Sequence, residues 1–201
     1  MKIKNKYIII ISLLFVFIPF FFLSGCNSTT FLIPGQKKAV INNLYAEYFN
    51  IGNAYFDLEK YDNAIVYYKK VLESSELYNA AYYKIGQCYV YKSDWANALP
   101  IYEDLLFADP ENGSLKASVA YIYSMQGQFE SALSIYEDLL NEQPNNEKYL
   151  ENYLAIILSE RNIFLENEKA FEEAFNQLKT NFPNNKNIKS FQERYESYLE
   201  K

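Results

Sequence analysis

The sequence contains no histidine, which removes both the usual general base near neutral pH and the commonest metal ligand. A hydrolase or a zinc enzyme is therefore a poor reading. Basic residues are in deficit, 19 against 25 acidic, for a formal charge of −6. Setting aside Lys2, Lys4 and Lys6, which lie in a segment expected to be removed, leaves 16 basic residues and a net charge of −9. An acidic mature protein lacks the basic stripe that nucleic-acid binding requires, so no nucleic-acid partner is expected. There is no glycine-rich phosphate loop, no nucleophile elbow and no cluster of metal ligands. Neither a cofactor, a metal nor a catalytic residue is expected.

What is present is an apolar, tyrosine-rich chain. Its 201 residues leave room for one ordinary domain, half of them are apolar, and 18% are aromatic, with 20 Tyr. A tyrosine can bury its ring and keep its hydroxyl wet, which suits faces that are part core and part groove.

Three lysines in the first six residues precede an apolar run from Tyr7 to Leu23, interrupted at Ser12 and Pro19. That is the layout of a secretory signal peptide, expected over residues 1–25; an uncleaved spanning helix is the plainer alternative. Leu23-Ser24-Gly25-Cys26 decides for the first, because it resembles the bacterial lipobox. The resemblance implies that Cys26 becomes the first residue and carries acyl chains, an anchor without a spanning helix. It further implies a cell-envelope protein on the extracytoplasmic side. With Asn27 and not Asp next to the lipid, the outer membrane facing the periplasm is expected in a diderm cell, and the outer face of the cytoplasmic membrane otherwise. With Cys26 modified, Cys88 has no disulfide partner and reads as a packed, inert thiol. Residues 26–44 are expected to form a tether, flexible from Asn27 through Pro34-Gly35 and helical from Gln36 to Leu44. The glycosylation-like triplets at Asn27 and Asn112 are read as chance.

A period of 34 residues organises the rest. Tyr82, Ile85, Gly86, Tyr89, Ala98, Tyr102, Leu105 and Pro110 recur as Tyr48, Ile51, Gly52, Tyr55, Ala64, Tyr68, Val71 and Glu76, and again as Lys116, Val119, Ala120, Tyr123, Ala132, Tyr136, Leu139 and Pro144. The first half of each unit has an apolar stripe at spacings of three and four, and a second stripe follows a polar turn and an aromatic at Tyr61, Trp95 or Phe129. Asp109-Pro110 and Gln143-Pro144 stop the second helix. Each unit is a helix hairpin whose apolar face needs a stacked neighbour. The small residues Gly52, Gly86 and Ala120 are expected where the paired helix approaches closely.

These columns resemble the tetratricopeptide repeat family over about Tyr45 to Asn146. The resemblance implies an all-α, right-handed α-α superhelix: repeats at 45–78, 79–112 and 113–146, a degenerate fourth at 147–183 and a capping helix at 184–201. Three departures stand out: Val71, Leu105 and Leu139 replace a small residue, Glu76 replaces the first late proline, and Pro100 sits inside a helix, where a local bend is expected. In the fourth unit the second stripe, Phe171, Phe175 and Leu178, arrives about five residues late, so Arg161 to Glu168 should form a longer helix or loop.

Paired acids such as Glu103-Asp104 and Glu137-Asp138 recur at outward columns and read as a solvated helix face. The resemblance places a partner-binding groove on the concave side, presenting Phe49, Asn53 and Phe56, then Tyr83, Gln87 and Tyr91, then Tyr121, Ser124 and Met125. The clamp for a peptide C-terminal carboxylate found in chaperone-binding relatives is not matched, since Phe49, Ser114 and Ser118 stand in its basic columns. The expectation is a lipid-anchored scaffold that binds a protein or peptide through aromatic rings and amides, in envelope assembly, secretion or transport. The alternative is an accessory lipoprotein that carries a small apolar ligand between its helices.

Overall fold

The computed structural model describes the backbone of Thr29–Phe31 and Ala39–Ile41 and all of residues 43–200. The lipobox and Cys26 lie outside the described residues.

The chain divides into two units. In the first, β1 (Thr29–Phe31) pairs antiparallel with β2 (Ala39–Ile41), Thr30 opposite Val40. This corrects the expected helix from Gln36 to Leu44, because residues 39–41 are strand and helix begins only at Leu44. β-Branched and aromatic side chains at Thr29, Thr30, Phe31, Val40 and Ile41 favour the extended backbone.

In the second unit, from Tyr45 onward, the regular elements among the described residues are all helices. The hairpins are α1 (Leu44–Asp57) with α2 (Tyr61–Val71), α3 (Tyr78–Tyr91) with α4 (Trp95–Ala108), and α5 (Gly113–Met125) with α6 (Phe129–Glu142). A longer hairpin, α7 (Glu147–Ile157) and α8 (Arg161–Asn181), comes next, and α9 (Ile188–Leu199) closes the stack. From α2 onward each helix packs mainly against its neighbours in sequence.

The small-residue column behaves as its place in the buried stripe demands. A Cβ on Gly52 would stand 2.6 Å from the ring of Tyr68, and one on Gly86 would stand 3.0 Å from Tyr102 and Ile101. The glycines let the ring of the paired helix lie on backbone. Tyr68 and Tyr136 are fully buried and Tyr102 nearly so, forming the spine of the core with Ala64, Ala98 and Ala132.

Each turn inside the first three hairpins is closed the same way. Glu59 (φ 57°), Ser93 (φ 57°) and Gly127 (φ 77°) occupy one column in the left-handed region. The next residue returns a backbone N–H to the preceding helix: Lys60 to Tyr55 O, Asp94 to Tyr89 O and Gln128 to Tyr123 O, each at 2.9 Å. That is a Schellman stop, which satisfies carbonyls that the helix end would leave open. At the junctions between hairpins Asn112 and Asn146 cap α5 and α7, accepting from Leu115 N and Tyr149 N at 3.2 and 3.3 Å. Such caps satisfy donors of the first helical turn.

Two sequence expectations take definite form. α4 runs from Trp95 to Ala108 through Pro100 as one helix, with no break. Pro100 and Ala96 are both exposed, so water reaches the carbonyl that the missing N–H leaves unpaired. The segment from Arg161 to Glu168 is helix, and Asn167 marks a kink with φ −120° and ψ 17°. The Asn167 side chain donates to Ile163 O at 2.9 Å, while Phe164 and Phe171 bury themselves fully on either side.

The paired acids do more than face water. Tyr82 donates to Asp104 at 2.8 Å, Tyr123 to Glu103 at 3.1 Å and Tyr153 to Glu137 at 2.9 Å. Exposed carboxylates on one helix thus tie down phenols from the helices on either side.

Candidate functional site

The nine residues expected in the groove separate into two sets. Phe49, Asn53, Tyr83 and Gln87 turn toward their own hairpins. Phe49 lies 5.5 Å from the Tyr68 ring, and Asn53 accepts the Tyr68 hydroxyl at 2.8 Å. Tyr83 meets Tyr102 edge-on at 5.7 Å, and Gln87 donates to the Tyr83 hydroxyl at 3.3 Å. The Gln87 Oε1 is buried without a partner, an arrangement that stores a cost inside the stack.

The other five lie on a rim at the turn end of the first helix of each hairpin. Tyr91 is 60% exposed, Met125 48% and Tyr121 40%, with Phe56 and Ser124 half-buried beside them. The aromatics that open the second helices complete this rim. At the junction of the first two repeats Tyr91 stacks on Tyr61, with centroids 5.4 Å apart and an interplanar angle of 10°, and Phe56 meets both rings edge-on. Lys84 holds its ammonium 4.7 Å from the centroid of Phe56. At the next junction Tyr121 meets Trp95 edge-on at 6.0 Å.

At the third junction the rim opens into a hollow of about 200 Å³ lined by Tyr121, Ser124, Met125, Phe129, Tyr136, Asn152, Ala155, Ile156 and Ser159. Three of the expected residues meet here, joined by α7 residues that the sequence reading did not name. The signal was available: adding the period of 34 to Tyr121 and Met125 lands on Ala155 and Ser159. The weakening of the fourth repeat hid it.

The hydroxyl protons of the hollow are spent within the chain. Ser124 donates to Tyr121 O at 2.7 Å and Ser159 to Ile156 O at 2.6 Å. Tyr136 donates to Ala117 O at 3.1 Å and receives Asn152 Nδ2 at 3.0 Å. Burial raises the Tyr136 phenol to about 12, so it stays neutral. The lining is thus uncharged, and its hydroxyl protons are committed.

A larger hollow, about 420 Å³, lies elsewhere, between Leu106, Lys116, Ile135, Asp138, Asn141 and Glu142. Its lining includes an ion pair, Lys116 3.1 Å from Glu142. Cys88 is fully buried with a free thiol that burial pushes up to about 11, which fits a packed residue and not a nucleophile. Among the described residues no group of three acids or thiols is placed to hold a metal, and no helix is long and apolar enough to cross a membrane.

Comparison with known proteins agrees with the fold. The tetratricopeptide repeat family matches the sequence over residues 45–75 and again over 91–152. A tetratricopeptide repeat protein from Parabacteroides merdae ATCC 43184 is similar in structure, with a TM-score of 0.67 and 19% identity, over 78% of this chain and 60% of its own. The chain therefore spans 60% of that relative's length. MamA from Desulfovibrio magneticus RS-1 follows at a TM-score of 0.60 and 18% identity, covering 71% of this chain and 77% of that one. YrrB gives 0.54 and 21%, covering 79% and 88%. No curated protein matches the sequence. Residues 45–75 and 91–152 match tetratricopeptide repeats, and the solved structures share the fold, an all-α superhelix.

Proposed function

We propose that the chain is a lipid-anchored, extracytoplasmic scaffold that holds a segment of a partner polypeptide along the aromatic rim of its repeats, in cell-envelope assembly, secretion or transport. The observation that carries the reading is the set of half-exposed rings and thioether near the ends of the first helices of two successive repeats, Tyr91 in one and Tyr121 with Met125 in the next. Clustered exposed apolar groups mark interaction surfaces. YrrB, of the same fold, is described as a tetratricopeptide repeat protein with an unusual peptide-binding site, which supports a polypeptide as the occupant here. The cavity sizes favour it over a small apolar ligand. A hollow of about 200 Å³ is below the usual ~300–1,000 Å³ of ligand pockets, and the 420 Å³ hollow has Lys116, Asp138 and Glu142 in its lining beside Leu106 and Ile135.

In this reading the repeats supply specificity and the acyl chains on Cys26 raise the local concentration at the membrane. Catalysis is no part of it. Photo-crosslinking in intact cells from a probe at Ser124 should capture a discrete protein. The double substitution Tyr91→Ala with Tyr121→Ala should reduce that capture at least tenfold while helical content stays the same, because both rings are substantially exposed. Unchanged capture by the double variant would overturn the rim as the binding surface. Cys26→Ser should move the protein out of the membrane fraction, and retention there would overturn the lipid anchor.

A further inference from the structure

The three inter-repeat junctions are built from the same columns, and comparing them shows what the third one lacks. At the first junction the aromatic that opens the second helix, Tyr61, is covered by Tyr91 stacked on its face and by Phe56 at its edge. The same columns at the third junction hold Phe129, then Ser159 where Tyr91 would be, then Ser124 where Phe56 would be. Two large rings have become two serines. The space they would occupy is the hollow of about 200 Å³, with Phe129 on its wall.

We infer that this hollow is a socket for one aromatic side chain of the partner polypeptide, seated against Phe129 as Tyr91 sits against Tyr61 within the chain itself. The inference rests on the scaffold reading and names what that scaffold grips. The first junction shows that the fold accepts a ring in this position at a 5.4 Å stacking distance. Offset stacking of this kind is favourable beyond area burial alone.

The chemistry of the lining argues against an anionic occupant. Ser124 and Ser159 spend their protons on backbone carbonyls one turn away, and the Tyr136 hydroxyl is engaged on both sides. An anionic group entering would shed its water and find no hydroxyl proton in return. The size excludes a lipid or a drug-sized ligand. What fits is one apolar ring, beside the Met125 thioether and Ile156. Thioether sulfur and aromatic rings attract each other.

Met125 also supplies the assay, since Met1 is the only other methionine. The full chain labelled with ¹³C at the methionine methyl is titrated with N-acetyl-phenylalanine amide, N-acetyl-tyrosine amide and N-acetyl-leucine amide. The two aromatic amides should move the Met125 methyl resonance upfield in a saturable manner, and the leucine amide should do so at least tenfold more weakly. Ser159→Tyr, which restores a ring in the Tyr91 column, should abolish the response. Ala155→Phe, at an exposed position on the wall, serves the same end if Ser159→Tyr does not fold. Absence of a shift, equal response to the leucine amide, or a response that survives both fillings would each overturn the socket. The scaffold reading fails separately. If partner capture is lost in the Tyr91→Ala, Tyr121→Ala variant but Met125 is silent, the rim stands and the socket falls.

Discussion

Glu59 and Ser93 occupy a backbone region that suits glycine, and only the third member of their column, Gly127, is one. A side chain in the left-handed region costs about 1–2 kcal/mol. Replacing Glu59 or Ser93 by glycine should therefore raise unfolding free energy by about 1 kcal/mol each, and Gly127→Ala should lower it by a similar amount. Urea denaturation of the three variants checks the sign. Gly52 is the contrasting case, since its φ is ordinary and its constraint is the Tyr68 ring 2.6 Å from any added Cβ. Overpacking by about 1–3 kcal/mol outweighs the roughly 1 kcal/mol that alanine gains in a helix. The sequence shows Gly52 and Gly86 at period 34, and Gly127 as the one glycine of its column. It shows the reason for neither, because conformation and contact distance are not written in residue type.

Among the elements, α4 is the one whose composition works against its conformation. Pro100 removes a hydrogen bond in the second turn, yet the helix persists because Ala98, Ile101, Tyr102 and Leu105 are buried on its inner face. Tertiary packing overrides propensity here. Pro100→Ala should restore the bond and raise stability by up to about 3 kcal/mol without altering the rim, as a shift in denaturation midpoint would show. The hairpins, their order and the terminal helix were all legible from the apolar columns, because burial imposes the 3.6-residue period directly. The strand at Ala39–Ile41 was not, since three residues are too few to display a period. The rim was half legible. Tyr61, Trp95 and Phe129 were visible as a column but read as helix openings, and whether Phe49 or Tyr91 faces out depends on how neighbouring rings share space.

For the molecule as a whole, the phenols that tie one helix to the next make the stack sensitive to alkali. Burial, followed by the bond to Asp104, raises Tyr82 to about 12, and burial does the same for Tyr136. The bond to Glu172, followed by burial, takes Tyr195 to about 12. Unfolded tyrosine titrates near 10. A pKa raised on folding gives stability that is complete below about pH 10 and drains away as pH climbs toward 12. Tyrosinate absorbance and loss of helical circular dichroism should therefore rise together across that interval. Phenols that ionise fully before any helix is lost would show that the ties contribute nothing.

The closing helix α9 has no fully buried residue and is held by half-buried Phe191, Tyr195 and Tyr198, by Arg194 donating to Ser159 O at 2.9 Å and by Tyr198 donating to Leu158 O at 3.1 Å. Because the helices from α2 onward touch mainly their neighbours in sequence, tension applied between the two ends would be borne in series and not shared. The stack would give way one hairpin at a time, beginning at α9, in several low-force steps. Ser159 also lines the third junction, so the first step would loosen the wall of the socket before the rest of the rim, and a strained partner would be let go while most of the scaffold remained intact.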